Sequence, residues 1–225
     1  MSDTESFIDE VNDEVRRDRL YGYLRRYGWI GLLAVVLIVA GAAWSEYRKA
    51  SMRADAQALG DGVLSALSQP DPQDRSAALA TLEAGTPKAQ ALVALLTAAA
   101  AQEAGDTATA VDALNAVAID PDVDAIYRQI ASFKALTLQS ETLDAATRRQ
   151  QFSALATTGT PLGLLAQEQL ALIDVAEGDT QAAIDGYQAI LRDASVTSDL
   201  QQRALQVIVS LGGAPDLDNL PLSGN

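Results

Sequence analysis

Three aspartates, Asp120, Asp122 and Asp124, flank Pro121 and form the densest group of carboxylates in the chain. Alternating acids in a short loop can hold calcium. An EF-hand loop also needs further oxygen ligands, a Gly at its sharp turn and a closing Glu, and none follows in register here. The group reads as a turn that leads into a capped helix. Arg148 and Arg149 could bind an anion, but the pair reads as a solvated helix face. Gly41 and Ser45 are spaced for close approach of two membrane helices, a pattern that by itself specifies little. The sequence has no His and no Cys. That removes the commonest metal ligand, the usual acid–base group near neutral pH, thiolate chemistry and disulfides. There is no phosphate-binding loop, no dinucleotide-binding glycine turn and no Gly-x-Ser-x-Gly elbow. The expectation is a protein without catalytic activity, cofactor, metal or small-molecule substrate.

Charge narrows the partners further. The formal net charge is −14, and 23 acids against 11 bases fall after Trp44. A nucleic-acid binder needs a basic face, so nucleic acid is not expected as a partner. The part beyond Trp44 is rich in Ala and Leu, and the whole chain has only three Phe. Small apolar residues of this kind favour closely packed helices over sheets.

Two segments must position whatever surface this chain offers. The first is Tyr27 to Trp44, eighteen residues without a charge. At about 1.5 Å per residue it spans roughly 27 Å as a helix, near the hydrocarbon thickness of a bilayer. Tyr27 and Trp29 stand at one end, Trp44 and Tyr47 at the other, as interfacial aromatics do. A transmembrane helix over 27–45 is expected. Ala40-Gly41-Ala42 resembles a signal-peptidase site. However, the long acidic leader before the apolar stretch argues for an uncleaved anchor. Five arginines precede the segment and three bases follow it closely, at Arg48, Lys49 and Arg53. That bias predicts a cytoplasmic N-terminus and an exported C-terminal domain, periplasmic in a Gram-negative bacterium. Residues 1–26 read as a cytoplasmic amphipathic helix, with a capping box at Ser2 and Glu5. It could also dock a cytoplasmic partner or the lipid interface.

The second segment repeats itself. "AGDTATAVDALNAVA" (104–118) returns as "EGDTQAAIDGYQAIL" (177–191). The apolar positions coincide: Ala110, Val111, Leu114, Val117 and Ala118 against Ala183, Ile184, Tyr187, Ile190 and Leu191. They trace one face of an α-helix. Gly105 and Gly178 mark the preceding turns, and Asp106 and Asp179 offer N-cap oxygens. Upstream, Gly85-Thr86-Pro87 returns as Gly159-Thr160-Pro161 at almost the same spacing, with Thr as N-cap and Pro in the first turn. That spacing is about twice a helical hairpin of roughly 36 residues. It predicts a degenerate unit between the copies, over 122–157, turning at Ser140-Glu141-Thr142. An earlier pair is expected over 46–68 and 74–84, with "PDPQ" (70–73) as the break. A last helix is expected near 197–211. Residues 212–225 read as a flexible tail. Two-helix units of about 34–38 residues are the mark of an α-solenoid. The predicted fold is all-α: a transmembrane helix, then a solenoid over 46–211.

"GDTQAAIDGYQAIL" resembles the second half of a tetratricopeptide repeat, matched at Gly178, Ala183, Ile184 and Tyr187. The earlier copy matches at Gly105, Ala110 and Val111, with Leu114 in place of Tyr. The first-helix signature of the repeat is missing, so these are divergent helical hairpins. The order of "FIDEVNDEVRRDRL", the apolar anchor and the Ala-rich repeats resembles bacterial tetratricopeptide-like single-pass membrane proteins, similar to the ancillary subunit of the Sec translocon. That resemblance implies a periplasmic scaffold in the inner membrane, meeting translocon components and periplasmic chaperones. The partners expected are the bilayer and other membrane or periplasmic proteins. A second reading makes the chain an accessory subunit of a respiratory or photosynthetic complex, held through its transmembrane helix.

Overall fold

The computed structural model describes the backbone of residues 3–157, 160 and 162–216, and side chains from Trp29 onward within that set. The described residues form helices and turns with no strand. The helices are α1 (Asp3–Leu67), α2 (Pro72–Ala80), α3 (Pro87–Glu103), α4 (Thr107–Ile119), α5 (Ala125–Leu138), α6 (Ala145–Leu155), α7 (Gly163–Glu177), α8 (Thr180–Arg192) and α9 (Ser198–Ser210). The chain divides into two compact units, residues 1–58 and 59–225.

In the first unit the helix is uninterrupted, and it is long and apolar enough to cross a membrane. Every described side chain from Trp29 to Ala58 is exposed. Trp44 and Tyr47 lie side by side, with ring centroids 6.4 Å apart. Residues 46–58, read from sequence as part of the repeats, belong to this unit.

In the second unit each helix from α3 to α8 packs chiefly on the helix before it and the helix after it, while α2 packs chiefly on α3 and α9 on α8. The hydrophobic clusters follow the same order. Ala66, Leu79 and Ala100 join the end of α1 to α2 and α3. Ala98, Ala110, Leu114 and Ala131 join α3, α4 and α5. Phe133 meets Phe152 edge-on at 5.7 Å, joining α5 to α6, and Ala166 and Ile173 continue that cluster into α7. Ala171, Tyr187, Ile190, Ala204 and Ile208 join α7, α8 and α9.

Sequence accounts for most of the boundaries. Asp71 accepts from the Gln73 N–H and Pro72 fills the first turn, so α2 starts inside the "PDPQ" break and ends at Ala80 rather than near 84. Thr86, Asp106, Asp144, Asp179 and Thr197 cap their helices with side-chain oxygens. Gly105 and Gly178 are left-handed, at φ 78° and 79°. Each closes a Schellman turn: Asp106 N–H donates to Ala101 O at 2.8 Å, and Asp179 N–H to Asp174 O at 2.9 Å. Gly212 closes α9 in the same way, with Gly213 N–H donating to Ile208 O at 2.9 Å.

Thr160 does not do what its spacing predicts. Its hydroxyl donates back to Leu155 O and Thr157 O, at 3.3 and 2.9 Å, instead of capping α7. Leu162 takes the N-cap position and its side chain makes no capping bond. The reason is a shift in the repeat. Thr160 stands one position further from Thr86 than Gly178 stands from Gly105. The second Gly-Thr-Pro is therefore displaced along the loop relative to the helices on either side. Gly159 and Pro161 lie outside the described residues.

Candidate interaction site

The offset that carries Gly105 onto Gly178 runs much further than the Gly-Asp turns. It carries α2 through α5 onto α6 through α9. Asp71 and Asp144 cap equivalent helices. Leu79 and Phe152, Val93 and Ala166, Ala98 and Ala171, Ala100 and Ile173, Leu114 and Tyr187, Val117 and Ile190, and Ala131 and Ala204 are all buried pairs at that offset. Even the turns agree: the Asp120 carboxylate accepts from Asp122 N–H and the Asp193 carboxylate from Ser195 N–H, at 2.9 and 2.8 Å. The acids around Pro121 thus build a turn. Asp124 stands at the N-cap of α5 without a side-chain capping bond.

The residues singled out from sequence take these places. Ala110, Leu114, Ala183, Ile184 and Tyr187 are buried, and Val111 is half-buried. Gly105 and Gly178 are exposed turn residues. Trp29, Trp44 and Tyr47 are 64, 66 and 70% exposed on α1. Tyr27 lies on α1, with its side chain outside the described residues. No three His, Cys, Asp or Glu among the described residues are placed to hold a metal ion.

Charges bridge the helices. Arg75 on α2 reaches Glu103 on α3 at 2.7 Å. Arg149 on α6 reaches Asp174 on α7 at 2.7 Å and also Glu177, so it is an interhelix clamp rather than a solvated face. Those two carboxylates hold the Arg149 proton more firmly than usual, Asp174 contributing most. Arg148 is the counterpart of Arg75, but Ala176 stands where the first half has Glu103. Its Nε is buried without a hydrogen-bond partner among the described residues. On α9, Arg203 grips Glu168 of α7 through two bonds, Nε at 2.9 Å and Nη2 at 3.0 Å, and also meets Asp199. Glu168 is only 9% exposed. Tyr187 lies next to this group, and its phenol is pushed up to about 12, first by burial and then by the Glu168 charge.

The two halves differ at this point. The first-half equivalents of Glu168, Asp199 and Arg203 are Leu95, Ile126 and Ile130. The cluster that ties α7 to α9 in the second half is therefore apolar between α3 and α5. Leu95 and Ile130 are half-buried there, while Leu92 and Ile126 are 45 and 37% exposed. Lys88 of α3 lies over the Tyr127 ring of α5 at 5.8 Å. Sequence reasoning missed this asymmetry because the offset was recognised only at the Gly turns. Carrying it into α5 would have exposed the contrast.

No protein-family model matches the chain, and no curated protein or solved structure matches it either.

Proposed function

We propose that this chain is a membrane-anchored protein-interaction scaffold: a single-pass anchor bearing an α-solenoid of divergent tetratricopeptide-like hairpins. The observation that carries the reading is the recurrence of buried positions from α2–α5 in α6–α9, with each helix covering the next. Each unit leaves an apolar face that only its neighbour covers, and stacking such units creates an extended surface suited to peptides or partner helices. The five arginines before the anchor favour a cytoplasmic N-terminus and an exported, periplasmic domain in the inner membrane. The order of segments supports a place beside the Sec translocon and periplasmic chaperones. Confinement to the membrane raises the effective concentration of the surface for partners already there.

A second reading has its own support. Every large apolar side chain from Trp29 to Val39 is exposed, which suits a helix that docks within a multisubunit membrane complex as well as one that meets lipid. Photoreactive residues placed across α3–α9 and, separately, along Trp29–Trp44 separate the two in intact cells. Crosslinks to translocon components or chaperones from α3–α9 support the scaffold. Crosslinks confined to Trp29–Trp44 refute it in favour of the accessory subunit.

A further inference from the structure

Resting on the scaffold reading, we propose that the partly exposed apolar strip of α3 and α5 is a docking site for an apolar polypeptide segment carrying carboxylates, supplied by a partner protein. The argument comes from the two halves of the chain. In the second half the equivalent positions hold an ion cluster, in which Glu168 and Asp199 deliver carboxylates to Arg203. In the first half the same positions are Leu95, Ile126 and Ile130, so no ion cluster forms there. What remains is a partly exposed apolar strip. Leu92 follows Lys88 by one turn of α3. Ile126, Ile130 and Lys134 recur at i, i+4 spacing, which sets them on one side of α5.

The cations of this strip supply the charge complement. Arg75, Arg149 and Arg203 each have an acidic partner, whereas Arg128 donates to the Pro121 and Val123 carbonyls and Arg148 has no ion pair among the described residues. Lys88 and Lys134 have none among the described residues. Lys88 is held over Tyr127, and Lys134 is half-buried on α5. Two lysines beside an apolar strip fit a segment that brings leucine-like side chains together with carboxylates. That is the combination the second half provides for itself. Asp122 and Asp124 sit near the start of α5 and would disfavour a segment whose acids run that way, which favours acids placed toward Lys134.

The test uses the full chain in nanodiscs and a fluorescein-labelled amphipathic peptide of Leu, Ala and Glu about three helical turns long, with a second peptide bearing Lys in place of Glu. Anisotropy should show the acidic probe binding at least tenfold tighter than the basic one, with the gap narrowing in high salt. A triple variant, Leu95→Glu with Ile126→Asp and Ile130→Arg, installs the second-half cluster and should weaken the acidic probe at least tenfold. The double variant Lys88→Glu with Lys134→Glu should do the same, with the circular dichroism of both variants unchanged. Equal binding of the two probes, no binding, or full binding by the paired lysine variant overturns the site. Displacement by dihexanoyl phosphatidylglycerol but not by unlabelled peptide overturns the polypeptide assignment in favour of lipid. The scaffold reading fails separately. Crosslinks from other faces of α3–α9 with silence at Ile126 sink this site alone, whereas crosslinks confined to Trp29–Trp44 sink both.

Discussion

Truncating the two members of the Arg203–Glu168 pair should cost unequal amounts. The Glu168 side chain is 12% exposed and that of Arg203 is 41%. Arg203→Ala leaves a carboxylate enclosed between α7 and α9 beside Tyr187, with no cation to meet it. Breaking a buried pair costs about 3–5 kcal/mol, and the partial exposure of the arginine side lowers this to about 2–3 kcal/mol. Glu168→Ala leaves a guanidinium still wetted and still beside Asp199, a loss of about 1 kcal/mol. Replacing all three charges by their first-half equivalents (Glu168→Leu, Asp199→Ile and Arg203→Ile) removes the desolvation cost together with the attraction. Such replacements are often neutral or stabilising, so the triple variant should unfold within about 1 kcal/mol of the parent. The assay is urea unfolding of the detergent-solubilised full chain, followed by far-UV circular dichroism. The two Trp of the sequence both lie on α1, so their fluorescence is blind to this region. Equal costs for the two truncations, or a triple variant as unstable as Arg203→Ala, would refute the account of a carboxylate dependent on its cation.

Tyr187 ionises near 10 when unfolded and is held to about 12 when folded, so its contribution is complete below pH 10 and is lost as pH rises toward 12. That loss amounts to about 2–3 kcal/mol, and alkaline unfolding curves of Tyr187→Phe should be flatter over this window. Gly178→Ala meets no atom within 4 Å but must hold φ near 79°, so equilibrium unfolding should show a loss of about 1–2 kcal/mol from backbone strain alone. At Gly186 the cause is reversed. An added Cβ would lie 3.1 Å from the Ala171 Cβ, so Gly186→Val should force α7 and α8 apart and cost about 1–3 kcal/mol, seen as faster hydrogen exchange in both helices. Phe152→Ala removes the side chain that meets Phe133 and should cost about 3–5 kcal/mol, with faster exchange across α5–α7 and little change in α1.

The sequence alone determined the all-helical class, because Ala- and Leu-rich segments with a helical apolar period have no stable alternative as strands. It determined the turns at Gly105 and Gly178, since a left-handed residue ending a helix is nearly always Gly, and the caps at Asp106 and Asp179, since a short acceptor must meet the free N–H groups there. It also marked Tyr27–Trp44 as apolar enough to cross a bilayer, a matter of composition and length. These properties belong to one residue or one turn of helix. Properties that depend on a partner helix were decided only in three dimensions. Thr160 carries the right side chain for a cap, yet its displacement by one position along the loop leaves its hydroxyl bonded back onto the end of α6. Arg149 looked solvated because its partners, Asp174 and Glu177, stand at the far end of α7 in the chain and become neighbours only when α6 packs on α7. Leu136 and its counterpart Val209 are 4 and 60% exposed, although both occupy the same position in their helices. The difference is that α6 covers the first, whereas none of the described helices follows α9 to cover the second. Likewise Leu95, Ile126 and Ile130 are ordinary apolar helix residues in sequence. They form a partly exposed strip only because folding places them where the other half of the chain has put an ion cluster.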